Sequence, residues 1–269
     1  MIKIYSPYKC ALNIALCFSV LFLSACFGGA KPNAKTQDAQ IDAVLQGIVD
    51  EAELGGHTSQ SVSTLEKLYS RNSEDPKIAA RYARALRETG ESEKARLILE
   101  GFVNQGSSVA NDAIYVEYAT LYLADKNYPN VIKYATKAQK KNPQNALSYQ
   151  LTGMALAAQG QDPAAELAFK QALQYWDQNK LGDMTPVWNN LALSLASQKK
   201  VEDALLAIQK AKALSPKSLE IERNYRIVQA MQRTAGVRGG SAPVRQISSG
   251  LPVSSSVKTG VKTTTNMVP

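Results

Sequence analysis

Residues 112–145, DAIYVEYATLYLADKNYPNVIKYATKAQKKNPQN, and the segment directly after them at 146–179, ALSYQLTGMALAAQGQDPAAELAFKQALQYWDQN, carry one pattern twice. Tyr115 and Tyr149 hold equivalent places 34 residues apart, as do Ala119 and Gly153, and Ala138 and Ala172. A third copy opens at Thr185, 39 residues after Ala146, so about five extra residues enter around Asp177–Asp183. Going backwards, a copy opens at Pro76, 36 residues before Asp112. Self-similarity at a fixed period of this size marks stacked supersecondary units.

The recurring residues have packing reasons. Numbering each copy from its first residue, position eight reads Ala83, Ala119, Gly153 and Ala192, and position twenty reads Ala95, Val131, Ala165 and Ala204. Position twenty-seven reads Phe102, Ala138, Ala172 and Ala211. Small side chains at fixed places let two helix backbones approach, and a large one there overpacks the contact at a cost of about 1–3 kcal/mol. Large residues recur as well, in three copies of four: Tyr115, Tyr149 and Trp188 at position four, where the first copy has Ala79, and Leu99, Phe169 and Ile208 at position twenty-four, where the second has Ala135. Gly90 and Gly160 suit the turn between paired helices, and Pro143 and Pro216 stop the second helix of a pair.

This set of spacings resembles the tetratricopeptide repeat. The resemblance implies an all-α fold, a tetratricopeptide-repeat α-solenoid of about five helix pairs plus a C-terminal capping helix. Composition agrees: apolar residues make up 45% of the 269, with only two Trp, so Ala and Leu must supply the packing. Ile41–Leu54, with a stripe at Ile41, Val44, Leu45 and Ile48, and Ser61–Arg71 read as a degenerate first unit. Ser218–Arg233 reads as the closing helix, so the solenoid is expected over residues 41–233.

Outside that span the chain reads differently. Lys3 and Lys9 precede the apolar run Ala11–Leu23, which is too short for a permanent membrane span. Leu23-Ser24-Ala25-Cys26 follows and resembles the bacterial lipobox, implying a signal peptide over 1–25 and a diacylglycerol on the thiol of Cys26. No cofactor beyond that covalent lipid is expected. Phe27 rather than Asp after the cysteine implies, by the same resemblance, an outer-membrane lipoprotein of a Gram-negative bacterium facing the periplasm. Residues 26–40 read as a flexible tether, and 234–269 as a disordered Ser/Thr-rich tail that is basic through Arg238, Arg245, Lys258 and Lys262. Much of the formal charge of +8 lies in these two ends, and no nucleic-acid partner is expected.

The residues that chemistry needs are scarce. Cys10, Cys17 and Cys26 are all N-terminal, which removes disulfides, thiolate nucleophiles and thiolate metal sites from the body of the chain. The one histidine, His57, falls beside Gly55-Gly56 in a turn. Neither a phosphate-binding loop nor a G-x-S-x-G elbow occurs. Acid pairs such as Glu91/Glu93 and Glu220/Glu222 suit solvated helix ends. No enzyme and no metal site are expected.

In the tetratricopeptide family, positions two, five, nine, twelve and thirteen of each unit face a groove that takes a partner. Carried onto this chain, they give Arg84, Val116, Thr120, Leu123, Gln150, Met154 and Asn189 as the partner-binding set. The first unit, with Lys77, Arg84, Arg87 and Glu88, makes a charged mouth leading to an apolar floor at Leu123 and Met154. That floor suits an amphipathic partner helix. The carboxylate clamp that some members carry at positions five and nine is absent.

The lipobox, the array, the run Val187–Ala192 (VWNNLA) and Glu222–Gln229 (ERNYRIVQ) together resemble TadD-type lipoproteins of the tight-adherence (Flp pilus) machinery. That resemblance implies a scaffold or pilotin that binds the secretin or other pilus-assembly proteins. A type IV pilotin of PilF type, an outer-membrane assembly lipoprotein and a peptidoglycan-associated accessory lipoprotein remain open alternatives.

Overall fold

The computed structural model describes residues 34–54, 58–106 and 108–237. Cys26, His57 and the tail beyond Val237 lie outside them. The chain divides into two compact units, one up to Arg71 and one from Asn72.

The first unit is a helix pair, α1 (Ala34–Leu54) and α2 (Thr58–Arg71). Helix begins at Ala34, so residues 34–40 of the expected tether are helical. The expected stripe is also corrected. Val49 is buried with Leu65 and Leu68, while Ile41, Val44 and Ile48 are exposed. Adjacent stripes on a 3.6-residue helix lie about 100° apart, so two faces of α1 compete for α2. The Arg71 guanidinium binds Asp42 at 2.6 Å and Asp38 at 2.8 Å, and both acids lie on the Val49 side of α1.

The second unit holds four helix pairs and a closing helix. The pairs are α3 (Pro76–Glu88) with α4 (Ser92–Asn104), α5 (Asp112–Ala124) with α6 (Tyr128–Lys141), α7 (Ala146–Ala158) with α8 (Asp162–Gln174), and α10 (Thr185–Ser197) with α11 (Val201–Leu214). The short α9 (Gln178–Leu181) occupies the insertion, and α12 (Leu219–Val237) closes the array, running past Arg233 into the segment expected to be tail. First helices stack on one another in order, α3 on α5, α5 on α7, α7 on α10 and α10 on α12.

Local signals explain the boundaries. Asp75, Asn111 and Asn145 cap α3, α5 and α7 by accepting from backbone N–H groups in the first turn. Position fifteen of all four repeat units adopts a positive φ: Gly90 at 94°, Lys126 at 58°, Gly160 at 71° and Lys199 at 62°. The turn needs a left-handed residue there whether or not glycine supplies it. The sequence signal was therefore visible in two units only.

The core follows the repeat positions. Ala83, Ala119 and Ala192, Ala95, Val131, Ala165 and Ala204, and Leu99, Ala135, Phe169 and Ile208 are all buried. Polar links then join consecutive pairs. Arg96 binds Asp125 at 2.6 Å, Gln139 donates to Thr152 at 3.2 Å, and Ser194 donates to the Asp162 carbonyl at 2.9 Å. Among the described residues no helix is long and apolar enough to cross a membrane.

Candidate functional site

The stacked first helices form the face on which the family's groove would lie. Arg84 on α3 binds Glu117 on α5 at 2.7 Å, and Arg87 reaches the other oxygen of the same carboxylate at 3.2 Å. The Glu117 side chain is only 4% exposed. The charged mouth expected from Arg84 and Arg87 is thus turned inward on a buried acid. Glu117 was missed in the sequence, yet it carried a signal: apart from Asp112 at the start, it is the one charged residue in α5, about one repeat after two arginines.

Two residues of the expected set are not open to a partner. Val116 is 3% exposed and Asn189 is 4% exposed. Val116 lies among stacked first helices, and Asn189 is covered by the closing helix. Its Oδ1 accepts from Asn224 Nδ2 at 2.9 Å and its Nδ2 donates to Glu220 at 3.5 Å. Asn189 therefore anchors α12. A closing helix on α10 takes the place a fifth first helix would hold, and position five is buried there as it is at Ala80 and Val116.

The remaining four are half-buried. Thr120 donates its hydroxyl to the Val116 carbonyl at 2.8 Å, within its own helix. Leu123, Gln150 and Met154 each keep part of their surface open, and Met154 also packs against the apolar core around Phe169 and Leu191. Leu147, Ala157 and Leu193 add half-open apolar surface on α7 and α10. The half-open floor consists of leucine, methionine and alanine.

The second helices carry another apolar row. Position twenty-two leaves Leu97, Leu167 and Leu206 exposed, with Lys133 in that place on α6. Repeat arithmetic would have shown this row, because the three leucines share one position.

A second buried acid is also held by cations. Glu166 accepts from Lys170 at 2.6 Å, from Lys200 at 2.7 Å and from Gln198 at 3.0 Å. Its bonds to Lys170 and Lys200 hold its carboxyl at about 2, well below the usual range, against the opposing effect of burial. Burial pushes the Tyr118 hydroxyl up, helped by its bonds with Tyr122 and Glu100. Both groups link neighbouring helices, Glu166 through Lys200 and Tyr118 through Glu100. Among the described residues, no group of three His, Cys, Asp or Glu side chains is placed to hold a metal ion.

The geometry matches solved helical-repeat proteins. A tetratricopeptide-repeat protein of Thermus thermophilus superposes with a TM-score of 0.57 at 20% identity, over 70% of this chain and 99% of that one. The fold is a tetratricopeptide-type α-solenoid. A chain of the Cut9–Hcn1 hetero-tetramer of the APC/C superposes with a TM-score of 0.62 at 12% identity, and the match spans 73% of this chain and 38% of that one. At these identities the likeness concerns the fold. No family model matches the sequence, and no curated protein matches it.

Proposed function

We infer that this chain is a lipid-anchored scaffold that binds protein partners during assembly of an outer-membrane apparatus, acting as a pilotin for the secretin of a tight-adherence pilus. The half-open apolar floor at Leu123, Met154, Leu147 and Leu193 supports the binding role, because it offers side-by-side anchor sites for one face of a partner helix. The lipid anchor rests on Leu23–Cys26, and the pilus assignment rests on the two sequence runs around Trp188 and Tyr225. Several acyl chains would hold the solenoid at the bilayer, since each buried methylene contributes about 0.8 kcal/mol.

Co-purification of the full chain from detergent-solubilised membranes tests the reading. Recovery of the secretin supports it, and recovery of a barrel-assembly complex instead would favour the outer-membrane assembly alternative. Leu123→Asp and Met154→Asp should each abolish capture while helicity is kept, whereas Leu167→Asp on the outer row should not. Undiminished capture by both floor variants would remove the groove from the proposal. Cys26→Ser should release the protein from the outer-membrane fraction.

A further inference from the structure

The insertion that breaks the period builds a feature on the third helix pair that the other pairs lack. After Gln174 the chain turns through α9 and Gly182, the latter at a φ of 67°, before α10 begins. This segment faces the loop leading into α7, and the two border an open recess of about 480 Å³. Gln144 and Leu147 line one wall, and Gln174, Tyr175, Trp176 and Asp177 line the other. The volume falls within the range of small-molecule sites. Insertions in repeat proteins gather on one face, often the binding face.

The lining narrows the ligand. It contains no Lys, Arg or His and one carboxylate, Asp177, so it has no cationic side chain for a phosphate or another anion and carries a charge that repels one. Its apolar surface is two aromatic rings, two leucines and an alanine, too little to take an acyl chain. The amides of Asn142 and Asn145 are already engaged, both donating to Asp112 Oδ2, at 2.9 and 2.8 Å. Among the described residues, those of Gln144 and Gln174, and the Tyr175 hydroxyl, have no hydrogen-bond partner. Each amide brings two donors and one acceptor.

The rings are held in advance. Trp176 Nε1 donates to the Gly182 carbonyl at 3.1 Å, so the insertion itself fixes the indole. Tyr175 packs on Tyr149 with ring centroids 5.6 Å apart. Side chains fixed before binding cost less to order when a ligand arrives. The equivalent places in the other pairs are Gly106, Asn142 and Ser215, so the tryptophan and the insertion occur together.

We propose that this recess binds a sugar residue of a neutral glycan. A sugar ring has C–H faces that stack on an aromatic ring and a rim of hydroxyls that both donate and accept. Trp176 takes the face, and Gln144 and Gln174 exchange hydrogen bonds with the rim. Leu147 belongs both to this recess and to the face of the first helices, so the bound sugar lies beside the proposed partner floor without using Leu123 or Met154.

The chain has two tryptophans, so the indole N–H region of its NMR spectrum carries two signals, assignable with Trp176→Phe. The experiment titrates the full chain, in detergent, with N-acetylchitotetraose and with maltotetraose to about 5 mM, the weak-binding range. The Trp176 signal is expected to move saturably with one of them while that of Trp188 stays in place. Gln144→Ala combined with Gln174→Ala, both exposed positions, is expected to weaken that response about tenfold, a change of about 1.4 kcal/mol. Absence of a saturable shift with either sugar, or a response that ignores the double variant, would overturn the proposal. So would inorganic phosphate moving the same signal.

Discussion

Gly153 lies so close under the ring of Phe169 that a Cβ built on it would stand 2.6 Å from that ring. These are positions eight and twenty-four of the third unit. In the other units the same pair reads Ala83 with Leu99, Ala119 with Ala135, and Ala192 with Ile208, all buried. The larger ring in the third unit is matched by the loss of a methyl from the facing helix. Gly153→Ala should therefore destabilise the fold even though alanine favours helix by about 1 kcal/mol. Overpacking against a fully buried ring costs about 1–3 kcal/mol, so the net loss is about 1 kcal/mol. Adding Phe169→Leu should recover it. Urea unfolding of the three variants checks this, and additive effects of the two changes would refute the coupling.

Lys126 and Lys199 hold a left-handed backbone that glycine adopts freely. Lys126→Gly and Lys199→Gly should each raise stability, by up to about 1 kcal/mol once the greater freedom of glycine in the unfolded chain is deducted. Gly90→Ala and Gly160→Ala should lower it by a similar amount. Thermal unfolding gives the sign, and a loss of stability in both lysine variants would contradict the turn assignment.

Glu166 makes stability depend on acid. Its carboxyl sits at about 2 in the folded protein against an ordinary value of 4.5. A depressed folded pKa means the contribution is fully present above about pH 4.5 and is lost as pH falls from there through about 2. Its two lysines are about half exposed, so screening trims the gain to about 1–2 kcal/mol. Glu166→Gln should flatten the stability curve across that window. A curve of unchanged slope would show that the three bonds do not persist in solution.

The buried acid on α5 sets a different test. Arg84→Ala with Arg87→Ala strands the Glu117 carboxylate, and losing the partners of a buried charge costs about 3–5 kcal/mol, somewhat less where water can enter. Adding Glu117→Met should restore most of that. Chemical unfolding separates the cases. A double arginine variant as stable as the parent would mean the ion pair holds nothing together.

The helix pairs were legible because the repeat is written in residues whose size matters locally. Alanine at the crossing points, Pro143 and Pro216 after the second helices and Gly90 and Gly160 in the turns all act over one or two helical turns, and the structure places them as expected. The partner-facing set was less legible. Val116 and Asn189 occupy groove positions by repeat arithmetic, but whether such a residue is open depends on what stacks beside it. The Asn189–Asn224 bond joins residues 35 apart, and α12 buries Asn189 as deeply as the stacked first helices bury Val116, while Gln150 at the same position stays half-open.

By itself the sequence determined the helical class, the pairing, the period with its one insertion, and the scarcity of residues for covalent or metal chemistry. These follow from short-range propensity and from side-chain volume at recurring positions. Only the tertiary structure decided that Arg84 and Arg87 turn inward on Glu117, that α1 presents Val49 rather than Ile48 to α2, and that the insertion borders a recess beside Trp176. Each of those outcomes is a competition between faces or partners of similar local merit, and the winner is chosen by residues distant in the chain.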